Sequence, residues 1–400
     1  MSPTIEQLVD RVHRSSTRLV LAVTGGGSRA ISHLLEVPGA SRTVLEACVP
    51  YSEPAMLQWL GARPDQSCSE PTARAMAMAG YLRACRYAPA PFPAVTGVAC
   101  TASLASDRPK RGPHRAHVAI QTNAMTASQS VELVKGRRSR AEEEAVVTYL
   151  VLNAVARACG LDERLETGLL DDEPLEAAEA AAPAPWQDLL AGRVEAVQQS
   201  GPTLVAGKGD RHLLCEAPGG PFRQKVPVTF SGTRVVFPGA FNPIHVGHRR
   251  MAEIAQERLG QPVEFEISIL NVDKPPLDFL EIQRRSGQFS ADQTLWLTRA
   301  ATFEEKSRLF AGATFIVGAD TLRRIADPRY FGSDATACQR AIEQIAARGC
   351  RFLVFGRQEE GRFVGLSDLE LPPQLRACCQ EIPAGEFRED ASSTEIRRSQ

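Results

Sequence analysis

One ten-residue segment constrains this chain more than any other: Gly239-Ala240-Phe241-Asn242-Pro243-Ile244-His245-Val246-Gly247-His248. It follows a short apolar run, Thr233–Phe237, which reads as a strand. It precedes a helical pattern, His245–Leu259, in which Met251, Ile254, Ala255 and Leu259 share a face and Gly260 marks the stop. Gly239 and Pro243 shape a tight exit from the sheet. His245 and His248 are three apart, which places both on one face of the first helical turn. Gly247 leaves room for a ligand to approach the backbone. A helix start offers unpaired N–H groups and the positive end of a dipole. Two imidazoles beside such an end make a phosphate site.

The flanking sequence predicts an α/β fold around that segment. Val263, Phe265, Ile267 and Ile269 alternate with polar neighbours, and Thr314–Val317 and Phe352–Phe355 are further strand-like runs. Strands alternating with helices predict a parallel, Rossmann-like sheet over residues 230–400, with ligands at the carboxyl ends of its strands. Residues 1–160 show the same rhythm. Leu19–Val23 ends at Gly25-Gly26-Gly27, Ser28–Leu35 reads as a helix, and Ser69-Glu70-Pro71 opens another through Arg86. Phe92–Val98 and His117–Thr122 read as strands, and Glu142–Cys159 as a closing helix before Gly160. Residues 161–229 are acidic and Ala/Pro-rich at first, and read as a linker with small connecting elements such as Leu213–Cys215 and Val226–Phe230. The expectation is two α/β domains, 1–160 and 230–400, joined by 161–229.

Composition excludes several classes. With 43% apolar residues, the chain has material for large cores and is not a disordered polymer. Lysine plus arginine number 46 against 47 acidic residues, a net charge of -1, so no general nucleic-acid coat exists. The local basic run Lys135–Arg140 reads as a solvated loop or helix start. Ten cysteines include no CxxC pair, and seven histidines give no zinc-ligand spacing. Reduced thiols in a cytosolic protein are the simplest account. Glu6 and Asp10 precede any apolar run, unlike a signal peptide. The longest apolar region, near Val146–Ala158, is broken by Asn153 and Arg157, well short of the ~20 residues that span a bilayer. The expectation is a cytoplasmic protein without membrane or nucleic-acid partners, its oligomeric state open and a homo-oligomer among the options.

The segment 239–248 resembles the GxFxPxHxGH signature of the nucleotidyltransferase superfamily. Three other segments extend the resemblance. Ser392-Ser393-Thr394-Glu395-Ile396-Arg397 has capping-box spacing and is similar to the family's SSTxIR motif, whose N–H groups, hydroxyls and arginine grip ATP phosphates. Phe315–Leu322 contains Gly318-Ala319-Asp320, similar to the GxD motif of nicotinamide and nicotinate mononucleotide adenylyltransferases, where the aspartate binds the ATP ribose region. Asn271–Leu277 resembles by position a substrate loop in which Lys274 meets a phosphate. The stacking tryptophan expected after Asp320 is replaced by other residues, with Tyr330 and Phe331 as candidates. The resemblance implies His245, His248 and Arg397 as catalytic residues. It implies a nucleotide site of Gly239, Ala240, Phe241, Asn242, Gly247, Gly318, Asp320, Ser392, Ser393 and Thr394. Mg²⁺ would bridge the ATP phosphates.

The N-terminal half resembles the CinA C-terminal domain, a nicotinamide-nucleotide amidohydrolase. Thr24-Gly25-Gly26, Val37–Ser41, Tyr51-Ser52, Ser69-Glu70 and Val95-Thr96-Gly97 stand in the family's order. The family's nucleophilic serine aligns with Ala22, and its lysine, five residues beyond Tyr51, aligns with Met56. A Ser–Lys pair works because the amine activates the hydroxyl. Neither replacement has that chemistry, and the later glycine-rich loop reads Cys100-Thr101-Ala102-Ser103. The expectation is an adenylyltransferase that uses ATP on nicotinamide or nicotinate mononucleotide, carrying an inactive amidase-like domain. The alternatives are a cytidylyltransferase, another adenylyltransferase of the superfamily, or a non-catalytic nucleotide-binding scaffold.

Overall fold

A computed structural model describes residues 2–88, 94–107, 111–199, 234–272, 275–358 and 362–388, and the backbone of 204–207, 212–216, 223–227 and 359. The chain forms two compact units, 1–187 with 273–282, and 188–272 with 283–400.

Unit 1 runs α1 (Ile5–Arg14), β1 (Arg18–Thr24), α2 (Arg29–Glu36), α3 (Ala40–Thr43), β2 (Val44–Cys48), α4 (Glu53–Leu60), α5 (Glu70–Tyr87), β3 (Val95–Ser103), β4 (His114–Gln121), β5 (Met125–Leu133), α6 (Arg140–Ala158) and β6 (Glu176–Ala181). Its sheet has the order β2-β1-β3-β4-β5-β6. β1 lies parallel to β2 and β3, and the remaining pairs are antiparallel. Alternation of side chains divides the core. Leu19, Leu21, Val23, Val98 and Cys100 cluster with residues of α1, α2 and α6. Ala22, Ala99 and Ala119, which are neighbours across three strands, cluster with α5 instead.

α5 reads Ala73-Arg74-Ala75-Met76-Ala77-Met78-Ala79-Gly80, and its small residues let it lie directly on the sheet. A Cβ on Gly97 would stand 1.9 Å from the Ala77 carbonyl oxygen and 2.3 Å from Tyr81 N. Only glycine fits at that contact.

The stretch read as a linker is structured where described. Glu173, 2% exposed, takes N–H donors from Val134 (2.8 Å) and Leu170 (2.9 Å). Both its oxygens accept from the Arg138 guanidinium, at 2.6 and 2.8 Å. Burial works against the carboxylate, yet Arg138 and the two amides outweigh it and hold its pKa down to about 2, from 4.5. β6 then pairs with β5 through Met125↔Ala181 and Ser130↔Glu176.

α7 (Ala184–Leu190) leads on to β7 (Val194–Gln198), β8 (Leu204–Gly207), β9 (His212–Glu216), β10 (Arg223–Pro227), β11 (Val235–Pro238), α8 (Val246–Leu259), β12 (Val263–Ser268), α9 (Phe279–Ser286), β13 (Leu295–Thr298), α10 (Phe303–Leu309), β14 (Thr314–Gly318), α11 (Ala319–Ile325), α12 (Ala335–Ala347), β15 (Arg351–Phe355), β16 (Arg357–Glu359), β17 (Arg362–Val364), α13 (Pro373–Ala377) and β18 (Cys379–Ile382). The parallel strands of unit 2 stand in the order β13-β12-β11-β14-β15-β18. That is the doubly wound Rossmann order, with its switch point between β11 and β14. β7 to β10 form an antiparallel meander that joins the sheet at β13. Phe315, Val317, Phe352 and Val354 pack with Leu322, Ile325, Ile342 and Ile345 of α11 and α12.

Two outcomes test these assignments. Gly97→Ala lowers the stability of unit 1 by about 3 kcal/mol or more, while Gly112→Ala, whose Cβ meets nothing within 4 Å, stays within ~0.5 kcal/mol; urea titration followed by circular dichroism separates them. Glu173 has a depressed folded pKa, so its stabilisation is present above 4.5 and is lost as pH falls toward about 2. Glu173→Gln therefore lowers the urea midpoint at pH 7 and flattens its decline across that acid window.

Candidate functional site

The loop after β11 is built around a buried ring. Phe241 has φ 42°, in the left-handed region. Its side chain is 1% exposed. The ring meets Phe237, Phe265 and Phe289 edge-on, with centroids 5.4, 5.6 and 5.4 Å away. Such contacts repay backbone strain by burial of aromatic area. Gly239 makes the inward turn possible: a Cβ there would stand 2.5 Å from the ring. The Asn242–Pro243 peptide is cis.

Sequence reading missed the groups that brace this loop. Gln288 Nε2 donates to the Phe241 carbonyl at 2.9 Å, and its Oε1 accepts the Ile244 N–H at 2.9 Å. Arg285 Nη1 donates to the Ala240 carbonyl at 2.9 Å. The Arg284 guanidinium donates to the Asn242 side-chain oxygen. The run Arg284-Arg285-Ser286-Gly287-Gln288 matches no motif quoted above.

His245 is the N-cap of α8 rather than its first residue, with extended φ −136° and ψ 176°. His248 falls at the third helical position, and its Nδ1 accepts the His245 N–H at 3.3 Å. The two rings lie 3.7 Å apart, inclined at 32°. Phe241 meets His248 edge-on at 5.2 Å. The same ring that shapes the loop thus fixes the second imidazole. Both histidines are half-buried, Gly247 is buried and Val246 is 60% exposed.

The second expected segment lies across the switch point. Val235 pairs with Thr314 and Val236 with Phe315. That pairing lies at the start of the strands, and Gly239 and Gly318 stand at or just beyond the carboxyl ends of β11 and β14. Gly318 caps α11, and a Cβ on it would stand 2.8 Å from Asp320 Oδ1. Asp320 Oδ2 lies 3.5 Å from Arg324 and 3.4 Å from Arg357. Tyr330 and Phe331 lie in a 3-10 turn, where Phe331 packs partly against the core of the unit. Lys274, Ser392, Ser393, Thr394 and Arg397 lie outside the described residues.

The positions aligned with the amidase pair are filled with apolar groups. Ala22 is 0% and Met56 4% exposed, and both belong to one cluster with Met76, Ala99 and Ala119. Cys48 pairs with Ala22 across the sheet, and burial raises its thiol to about 11, far from a reactive thiolate. The Ser28 hydroxyl donates to Glu144 at 2.9 Å, and that carboxylate also takes the Gly27 N–H at 3.1 Å.

Among the described residues no group of three His, Cys, Asp or Glu could hold a metal ion, and no helix is long and apolar enough to cross a membrane.

Residues 236–399 match the family model described as cytidylyltransferase-like. No curated protein matches the chain. Similar solved structures include the competence/damage inducible protein CihA from Agrobacterium tumefaciens, 22% identical, covering 40% of this chain and 94% of that chain with a TM-score of 0.30. A CinA superfamily protein from Klebsiella pneumoniae is 15% identical and covers 40% of this chain and 99% of that one, at a TM-score of 0.32. Another, from Enterobacter cloacae, is 16% identical and covers 40% and 93%, also at 0.32. The family match sets residues 236–399 beside the cytidylyltransferase-like members of the nucleotidyltransferase superfamily.

Proposed function

We propose that the chain transfers an adenylyl group from ATP to nicotinamide or nicotinate mononucleotide, releasing pyrophosphate. The observation that carries this reading is the stacked pair His245 and His248 at the start of α8, beside the switch point of a doubly wound sheet. Such a place collects backbone N–H groups and imidazoles around a phosphate. The choice of acceptor rests on the resemblance of both halves to proteins of pyridine-nucleotide metabolism.

The reaction needs no protein nucleophile. An acceptor phosphate oxygen attacks the α-phosphorus in line, and the bond to the β-phosphate oxygen breaks. His245 and His248 offset charge on the triphosphate as it develops. Asp320, held by Arg324 and Arg357, offers carboxylate oxygens to ribose hydroxyls. The resemblance adds Arg397 and the hydroxyls of Ser392, Ser393 and Thr394 on the phosphates, and Lys274 on the acceptor. The nucleotide enters as its Mg²⁺ complex, so the ion arrives with the substrate. The cytidylyltransferase-like match favours CTP as the second nucleotide to offer.

In unit 1, Ala22 and Met56 leave no hydroxyl or amine where the amidase mechanism needs them. Unit 1 is then not an amidase by that mechanism.

Two measurements test these readings. Pyrophosphate release is followed with ATP or CTP against each mononucleotide. Turnover with ATP and one of them is expected, and His245→Ala lowers kcat/KM roughly 10²–10³-fold. Turnover with CTP alone moves the assignment to a cytidylyltransferase, and no turnover with any pair removes it. Separately, Ala22→Ser with Met56→Lys leaves nicotinamide mononucleotide hydrolysis at background. The buried lysine costs unit 1 about 3 kcal/mol or more. Hydrolysis by the wild type would overturn the inactive reading.

A further inference from the structure

Helix α6 carries Leu150, Asn153, Ala154 and Arg157 at spacings of three and four, so they share a face. That face meets Ile120 of β4 and Ala127 of β5, which are cross-strand neighbours. The chain that follows α6 returns over the gap between helix and sheet. A cavity of about 250 Å³ remains there, bounded on the returning side by Arg164, Leu165 and Leu175. All of its lining lies in unit 1. A six-carbon ring is accommodated in about 150 Å³, so a body of that size fits with room for a polar head.

The cavity is held open by one buried amide. Asn153, 8% exposed, accepts the Leu165 N–H at 2.7 Å and donates to the Leu165 carbonyl at 2.9 Å. The returning wall cannot fold inward without breaking both buried hydrogen bonds. A pocket braced in this way exists before any ligand arrives.

Two guanidiniums stand at this cavity. Arg157 is paired with Glu179 at 2.6 Å. Arg164 is held differently. Its Nη1 donates to carbonyl oxygens of its own turn, Leu161 at 2.6 Å and Glu163 at 2.7 Å. The Glu163 carboxylate pairs with Arg11 instead, and among the described residues Arg164 forms no ion pair. Burial first, then the charge of Arg157, pulls the Arg164 guanidinium below its usual pKa, against the lesser opposing influence of Asp162 and Glu163. Arginine keeps its proton in proteins, so the cavity carries a cation without a counter-charge. A carboxylate fits the guanidinium fork in a way a neutral group does not. Inorganic phosphate fits poorly, because Glu179 repels a second negative charge and a bare ion covers none of the apolar wall.

We propose that this cavity binds a small carboxylate with an apolar or aromatic body. The carboxylate meets Arg164 and Arg157, and the body lies against Ile120, Leu150 and Leu165. The site is on the α6 side of the sheet, whereas Ala22 and Met56 pack on the α5 side. It is therefore separate from the positions aligned with the amidase pair.

The test is isothermal titration calorimetry on the full chain with benzoate and hexanoate, beside benzamide and inorganic phosphate. At least one carboxylate is expected to bind with a Kd below about 1 mM, and benzamide and phosphate about tenfold more weakly or worse. Arg164→Met keeps the stem and removes the charge. It weakens the carboxylate about tenfold, and Arg164→Lys recovers part of the loss. Ala154→Leu fills the cavity from α6 and abolishes binding; if it fails to fold, the Arg164 pair still decides. His245→Ala binds as wild type does, which separates this site from the one proposed in unit 2. A Kd above about 1 mM for both carboxylates, equal affinity for benzamide or phosphate, or unchanged binding in Arg164→Met would each overturn the proposal, as would loss of binding in His245→Ala.

Discussion

The loop that carries the two histidines is organised from the inside by one ring. Phe241 accepts a backbone conformation that costs a bulky residue energy, and aromatic packing on three sides repays it. Gly239 is then compelled, because any side chain there would overlap the ring. His248 is compelled too, since its imidazole rests on the ring's edge. A motif that reads as a string of ligand contacts is thus partly a packing motif. Its phenylalanine is buried among aromatic rings, and its first glycine makes room for that ring.

A loop so strained needs its backbone polar groups satisfied, because a buried unpaired amide costs as much as a lost hydrogen bond. Three of these groups, the Ala240 and Phe241 carbonyls and the Ile244 N–H, are satisfied by Arg285 and Gln288. Dependence on a neighbouring helix makes the loop sensitive to whatever anchors that helix.

Much of this was legible in the sequence, for physical reasons that differ by element. The strand–loop–helix at 235–259 was readable because a short apolar run precedes a period-3.6 pattern there. The parallel, Rossmann-like sheet followed from alternating strands and helices. Other features escaped. β5 and β6 are rich in Ala, Ser and Glu and lack apolar alternation, so of the antiparallel strands β4 was read and these two were not. Residues 161–229 look like a linker by composition, but around residue 173 the chain is tied down by Glu173 through contacts that span 35 residues or more, as with Arg138 and Val134. Gln288 acts through partners distant in sequence, and local spacing holds no trace of that. His245 was placed one residue too deep in its helix, because a residue with extended backbone can still present its ring to the first turn.

The alanine row beneath α5 has a consequence of its own. Ala22, Ala99 and Ala119 stand shoulder to shoulder under a helix that already touches strand backbone at Gly97. A serine at 22 would bury a hydroxyl that needs a new acceptor, and a lysine at 56 would bury a charge in an apolar cluster. The layer beneath α5 therefore tolerates volume at these two positions but not polarity, and its packing holds the surface of the sheet dry.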